Sequence, residues 1–342
     1  MNTKLKMAIV GAGTWGENHV KIYKAHPFCE VVAICDGKPG KAKNVAAKMG
    51  IPQSYENYEE MFHKSGCDAV AIVTPDFAHA QIAIKAAENG KHVLVEKPLA
   101  TTREDVFSMV EAFEKYKVRA MVDLHNRWSP AFNVAHSSVE KGELGKPYQA
   151  YMRLNDTKWV ATDMLPWAAQ SSILWFLGSH SLDTLRWFFN DEVSRVYSVS
   201  REGILKGKGV DTVDVYLTTL EFRNGGIAHM ENGWITPDAN PCLNDIKFNI
   251  LGDKGMISID LSNHNLIQKY TDDKVTVPDI VVQHSIFDYP KGFAFESIRS
   301  FVDCILSGDE FKVSVRDAAN TSLALLAVME SAKTRTPLEV RY

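Results

Sequence analysis

The sequence predicts an α/β protein: an N-terminal doubly wound parallel sheet of Rossmann type, then an α+β domain built on an open, mostly antiparallel sheet. Three observations predict it. Short, all-apolar runs alternate with helical segments through the first third of the chain. A glycine-rich turn joins the first run to the first helix, and beyond about residue 125 the runs alternate partially and are separated by glycine turns.

The first run, residues 7–10, stops at Gly11-Ala-Gly-Thr-Trp-Gly16, and a helical segment follows at 19–25. A second run, 31–35, ends in Asp36 and leads through a Gly/Pro turn to a helix at 41–49. The third, 69–73, is stopped by Thr74-Pro75. Helix resumes over 78–89 with Gly90 as its stop. The fourth, 92–95, ends in Glu96-Lys97-Pro98. Thr101 is placed to cap the next helix, with Glu104 completing a capping box, and 118–124 is a further strand. Continuous apolar strands separated by helices indicate a parallel sheet covered on both faces, wound by right-handed crossovers.

In the second domain, strands are expected at 148–154, 195–200, 213–222, 227–232, 246–251 and 256–261. Turns at 224–226 and 252–255 join antiparallel neighbours. One long apolar helix, 173–189, interrupts the strands, and helices at 294–306 and 315–333 finish the chain. The expected domains are 1–124 and 125–342. With no repeats or flexible linker between them, they are expected to share a cleft.

A length of 342 residues suits about two domains. With 45% hydrophobic and 23% charged residues, disordered and collagenous classes are excluded. A net charge of −4 offers no basic excess for a phosphate backbone, so nucleic acid is not an expected partner. The five cysteines are scattered without metal-ligand spacing, so no disulfide framework and no metal is expected. The start of the chain is polar and its first apolar run is too short for a signal peptide or membrane span. A cytoplasmic protein with no membrane partner is the expectation.

Gly11-x-Gly13-x-x-Gly16 follows a strand and opens a helix, with Asp36 ending the next strand about 20 residues later. Gly11 permits the tight turn, Gly13 lets a pyrophosphate approach the backbone, and Gly16 lets helix pack on strand. The helix N-terminus offers unpaired N–H groups to phosphates. Asp36 would accept from the adenosine ribose hydroxyls and repel a 2′-phosphate, so NAD is favoured over NADP; Lys38 and Lys41 could soften that preference. Lys97 ends a parallel strand, where open α/β sheets bind ligands, and Pro98 keeps it out of helical dihedrals. Beside a cationic nicotinamide, a partly desolvated lysine loses proton affinity and can exchange protons near neutral pH.

The glycine motif, Thr74-Pro75-Asp76-Phe-Ala-His79 and Gly90-Lys-His-Val-Leu-Val-Glu-Lys-Pro98 resemble the Gfo/Idh/MocA oxidoreductases. So do Asn126-Arg-Trp-Ser-Pro130, Gly142-Glu-Leu-Gly-Lys-Pro147, Gly178-Ser-His180-Ser-Leu-Asp183 and Glu231-Asn-Gly-Trp234, so the resemblance spans essentially the whole chain. It implies a C-terminal domain whose open sheet mediates homodimers or homotetramers, and NAD(P)-linked oxidation of a sugar, polyol or related cyclic hydroxyl compound. It also implies that Lys97 is the catalytic lysine and His180 the acid/base. The expected cofactor set is Gly11, Gly13, Thr14, Trp15, Gly16, Asp36, Thr74, Pro75, His79, Glu96 and Lys97. For the carbohydrate-like substrate it is Asn126, Arg127, Asp156, Asn232, Phe176 and His180, with Trp159 and Trp234 as stacking faces.

One departure matters. Where the family carries an Asp four residues before the histidine, this chain has Phe176, which can neither orient an imidazole nor take a proton. Asp183, three residues after His180, could share its helix face and also matches a structural acid of the family. Two other readings therefore stand beside the dehydrogenase: an NAD-dependent glycosidase-type relative, and an NAD-binding sensor with weakened catalysis.

Overall fold

The computed structural model describes residues 4–262 and 266–342. The chain folds into two compact units, residues 1–125 with 283–319, and residues 126–282 with 320–342.

The first unit begins with β1 (Leu5–Val10), α1 (Thr14–Ala25), β2 (Cys29–Cys35), α2 (Lys41–Met49), β3 (Gln53–Tyr55) and α3 (Tyr58–Lys64). It continues with β4 (Ala69–Ile72), α4 (His79–Glu88), β5 (His92–Val95), α5 (Arg103–Lys115) and β6 (Ala120–Val122). The six strands form one parallel sheet in the order β3-β2-β1-β4-β5-β6. Sequence order reverses between β1 and β4, and this switch point is where such sheets bind ligands. All four residues of β4 are buried, as a strand covered on both faces requires. The short β3 and α3 escape the sequence reading because β3 is a three-residue, partly exposed edge and α3 has only seven residues. The cap of α5 is Thr102, not Thr101: its hydroxyl accepts from the Asp105 N–H at 3.1 Å. Either threonine could cap, and the buried face of Val106, Met109, Ala112 and Phe113 selects the register.

The second unit contains α6 (Pro130–Glu140), β7 (Pro147–Asp156), α7 (Ser179–Phe189), β8 (Val193–Arg201), β9 (Val215–Phe222), β10 (Ile227–Gly233), β11 (Asn244–Gly252) and β12 (Met256–Asp260). A small ribbon of β13 (Lys269–Tyr270) and β14 (Val275–Thr276) follows. The chain then returns to the first unit as a hairpin, β15 (His284–Ile286) and β16 (Tyr289–Lys291), and the helix α8 (Phe293–Ser307). The last elements are α9 (Val315–Thr334), within which the division between units falls, and β17 (Leu338–Glu339).

The second sheet runs β12-β11-β7-β10-β9-β8-β17. Its pairs are antiparallel except β7 with β10, which run parallel. Alternation along β7 buries Ala150, Met152, Leu154 and Asp156 on one face. The core against that face includes Leu182, Leu185 and Phe188 of α7. The opposite face carries exposed Leu217, Ile227 and Met256.

A single boundary after residue 124 therefore does not describe the division. The ring of Phe295 on α8 lies 6.1 Å from that of Trp15 on α1, and Ser297 donates to the buried Asp123 carboxylate. His26 pairs with Asp303 at 3.0 Å, so α8 completes the first unit. Among the described residues no helix is long and apolar enough to cross a membrane.

Candidate active site

The turn after β1 has the geometry its glycines allow. Gly11 has φ +110°, and a Cβ there would lie 2.2 Å from the Val73 carbonyl oxygen. A Cβ on Gly16 would lie 1.9 Å from the Gly11 oxygen, so only glycine lets α1 sit this close to the turn. A Cβ on Gly13 would meet nothing within 4 Å, leaving the backbone open to a ligand. Gly13 is the N-cap of α1 and makes no side-chain cap bond, and Thr14 is exposed at the first helical position. The amides of this helix end are therefore offered outward.

Asp36 stands beside this turn at the end of β2. Its Oδ2 accepts from the Ala12 N–H at 2.9 Å and pairs with Lys41 Nζ at 2.9 Å, while Oδ1 accepts from the Lys38 N–H at 3.0 Å. Burial pushes its carboxyl up, but the Lys41 bond and the two amides outweigh this and hold it below the ordinary value. Across the switch point, Thr74 and Pro75 follow β4. Thr74 Oγ1 is buried with no hydrogen-bond partner among the described residues, a state that costs about 1–3 kcal/mol unless a ligand or water completes it. An uncapped helix end, an open Gly13, an ionised Asp36 and this hydroxyl fit a dinucleotide. His79 does not present itself to such a ligand. It is buried, with Nδ1 at 2.8 Å from the Pro98 carbonyl and Nε2 at 3.1 Å from that of Thr74, so it braces one loop against the other.

Glu96 is likewise turned inward. Its Oε1 accepts from Trp15 Nε1 at 2.6 Å and lies 2.9 Å from Nε2 of His19. Trp15 and His19 are thus tied to a carboxylate from one face of α1, a role for which sequence spacing supplies only the four-residue separation. Lys97 follows, half-buried, joined to Pro98 by a cis peptide. Next to β5, β6 leads to Asp123 and His125, whose Oδ2 and Nδ1 are 3.3 Å apart; the sequence reading did not single out either.

In the second unit, one π-helical turn, Leu174–Gly178, runs into α7. Its i→i+5 bonding inserts an extra residue, so the four positions from Phe176 to His180 are not one α-helical turn. The Phe176 ring packs toward Trp167 (6.4 Å) and Trp234 (5.9 Å). His180 is buried in the first turn of α7, where its carbonyl accepts from Thr184 Oγ1 at 2.7 Å. Thr184 Oγ1 in turn accepts from Asn126 Nδ2 at 3.0 Å, so Asn126 is a structural staple of this turn. Arg127, expected on a substrate hydroxyl, forms a two-bond pair with Asp183 (Nε–Oδ2 3.0 Å, Nη2–Oδ1 2.6 Å). Asp183 therefore orients Arg127. Asp156 is buried and accepts from the Asn244 amide.

Trp234 is fully buried, so it offers no open stacking face; Trp159 remains exposed at 45%. The ends of the parallel pair β7 and β10 nevertheless present polar atoms. Asn232 Nδ2 donates to the Leu154 carbonyl and Ser181 Oγ, whereas its buried Oδ1 and the buried Nε1 of Trp234 have no partner among the described residues.

Comparison with known proteins finds matches to both parts of the chain. Residues 5–124 match a family described as an oxidoreductase family with an NAD-binding Rossmann fold, and residues 132–258 match a C-terminal domain of the same family. The chain is 27% identical to a scyllo-inositol 2-dehydrogenase (NAD(+)) of Bacillus subtilis, over 99% of this chain and 97% of that one. It is 29% identical to a levoglucosan dehydrogenase of Pseudarthrobacter phenanthrenivorans, over 77% and 75%. Its fold is shared with the crystal structure of scyllo-inositol dehydrogenase from Lactobacillus casei with bound NAD(H) and scyllo-inositol, at a TM-score of 0.84 and 19% identity over 98% and 99% of the two chains.

Proposed function

The chain belongs to the GFO/IDH/MocA oxidoreductase family, and from that premise we propose that it is an NAD-dependent dehydrogenase or ketoreductase acting on a carbinol of a cyclic polyol or sugar. The observation that carries the reading is the open Gly13 turn at the uncapped end of α1, flanked by ionised Asp36. The names of the inositol and levoglucosan dehydrogenases support the substrate class.

A bound nicotinamide supplies a two-electron hydride acceptor. The turn 11–16 would hold the pyrophosphate, Asp36 the adenosine ribose, and Thr74 a further polar group of the dinucleotide. Lys41, already paired with Asp36, is not released to a 2′-phosphate, which favours NAD. In the oxidising direction His180 or Lys97 would take the proton of the substrate hydroxyl. The Lys97 ammonium stabilises the developing alkoxide. The exposed Trp159 would give the substrate an aromatic contact, and Phe176, backed by the buried Trp234, would give it a non-ionising wall.

The exposed apolar residues of the second sheet support a homodimer or homotetramer formed through that face. The free, scattered cysteines support a cytoplasmic location. The test is a panel of inositols, aldoses, polyols and amino sugars offered with NAD+ and NADP+, read by nicotinamide absorbance. NADH formation with a cyclic polyol or sugar is expected. Tight NAD retention with no oxidation, or release of an aglycone without net NADH, would replace the dehydrogenase with a sensor or a glycosidase.

A further inference from the structure

The stretch leading to His180 is apolar where the family resemblance expects an Asp. Phe176 is the middle ring of a row of three, with Trp167 at 6.4 Å on one side and Trp234 at 5.9 Å on the other. Trp234 is fully buried and backs the row, whereas Phe176 and Trp167 are half-buried, so part of each ring stays open. The π-helical turn Leu174–Gly178 fixes the middle ring. Its Leu174, Trp175 and Leu177 are buried, and the Phe176 N–H donates to the Ser172 carbonyl at 3.0 Å. The neighbouring hydroxyls are engaged within the same stretch. Ser172 Oγ accepts from the Leu174 N–H at 3.2 Å, Ser179 Oγ donates to the Trp175 carbonyl at 3.0 Å, and Thr184 Oγ1 donates to that of His180 at 2.7 Å. Four residues before His180, the chain therefore presents carbon.

We propose that Phe176 is a specificity-determining residue, selecting a cyclic sugar or polyol whose group against this ring is a hydrogen or an alkyl ether rather than a free hydroxyl. The substrate class is then a deoxy or O-alkyl sugar, not a fully hydroxylated ring. The inference rests on the dehydrogenase reading and on His180 serving the reacting carbinol. A hydroxyl pressed against Phe176 leaves water for a surface that neither donates nor accepts, and its hydrogen bonds go unmade. A C–H or methyl group at the same place loses nothing on leaving water and gains contact with the ring. One such group in an apolar pocket discriminates by about tenfold to two-hundredfold. A carboxylate at position 176 has the opposite preference, because it accepts from the hydroxyl and is left unpaired by the alkyl group.

The test compares myo-inositol and D-glucose with their monodeoxy and mono-O-methyl derivatives. The full chain is assayed for kcat/KM with NAD+, and calorimetry on the NADH-loaded protein gives the dissociation constants of the same compounds. At least one derivative should exceed its parent by about tenfold in both measurements. Phe176→Asp should lower that ratio by about tenfold or more, and Phe176→Leu should keep it. Should Phe176→Asp not fold, Phe176→Asn, whose amide also bonds a hydroxyl, takes its place. A merely structural role for the ring would weaken parent and derivative alike. The proposal is overturned if no derivative exceeds its parent, if the Asp or Asn variant leaves the ratio unmoved, or if Phe176→Leu reverses it. A preference seen in binding with no compound oxidised sinks the dehydrogenase reading and leaves the selectivity standing. Oxidation of parent and derivatives at equal rates does the reverse.

Discussion

The two units both hold ionisable side chains inside the fold, around the ends of the parallel strands in the first and on and beside α7 in the second, but they hold them differently. In the first, Glu96, His79 and Asp36 are fixed by indole, imidazole, ammonium and backbone groups, and the Thr74 hydroxyl is buried with no hydrogen-bond partner among the described residues. In the second, the charged groups neutralise each other: Arg127 with Asp183, and Arg186 with Glu192 at 2.6 Å. Among the described residues of that unit, the Asn232 amide oxygen and the Trp234 indole N–H are buried with no hydrogen-bond partner.

Four substitutions break or sharpen that contrast. Arg127→Ala should have the largest effect, because it strands a fully buried carboxylate on Asp183; we expect about 3–5 kcal/mol of lost stability in urea unfolding. A similar stability with a raised KM would instead make Arg127 a substrate ligand. Lys97→Ala should slow single-turnover hydride transfer by about a hundredfold or more, about 2.7 kcal/mol of barrier, with NAD affinity nearly intact. An unchanged transfer rate would remove lysine from the chemistry. Asp36→Ser removes the repulsion of a 2′-phosphate and frees Lys41, so the ratio of NADP to NAD affinity, read by calorimetry, should rise by about tenfold. The smallest effect is on acid stability. The Asp36 carboxyl is lowered in the fold, so it stabilises the protein above its unfolded value near about 4 and loses that contribution as the pH falls through the folded value. Asp36→Asn should therefore flatten the acid limb of thermal stability while leaving its shape at neutral pH.

The parallel sheet and glycine turn were legible in the sequence because each depends on local requirements: uninterrupted apolar strands, a positive φ at Gly11, close packing at Gly16. The second sheet was legible as strands and turns. The parallel pairing of β7 and β10 was not, since it joins segments some 80 residues apart with nothing local to announce it. The substrate set fared worst for a physical reason. Arg127, Asn126 and Asp156 are residue types that bind hydroxyls equally well as they bind Asp183, Thr184 and Asn244, and only the fold decides which partner is nearer. Trp234 illustrates the same point for aromatic faces, and His19 the converse: a residue with no motif of its own acquires a partner 77 positions away.

The return of residues 283–319 to the first unit bears on how the protein is made. Helix α8 is synthesised after nearly all of the second unit, so the nascent nucleotide-binding layer leaves the ribosome with α1 and Asp123 lacking their cover. Its completion must wait until translation is almost over. A fragment cut after residue 124 would expose the same surface permanently, so an isolated N-terminal half is a poor reagent, and a split version of the protein should instead carry α8 fused to the end of β6.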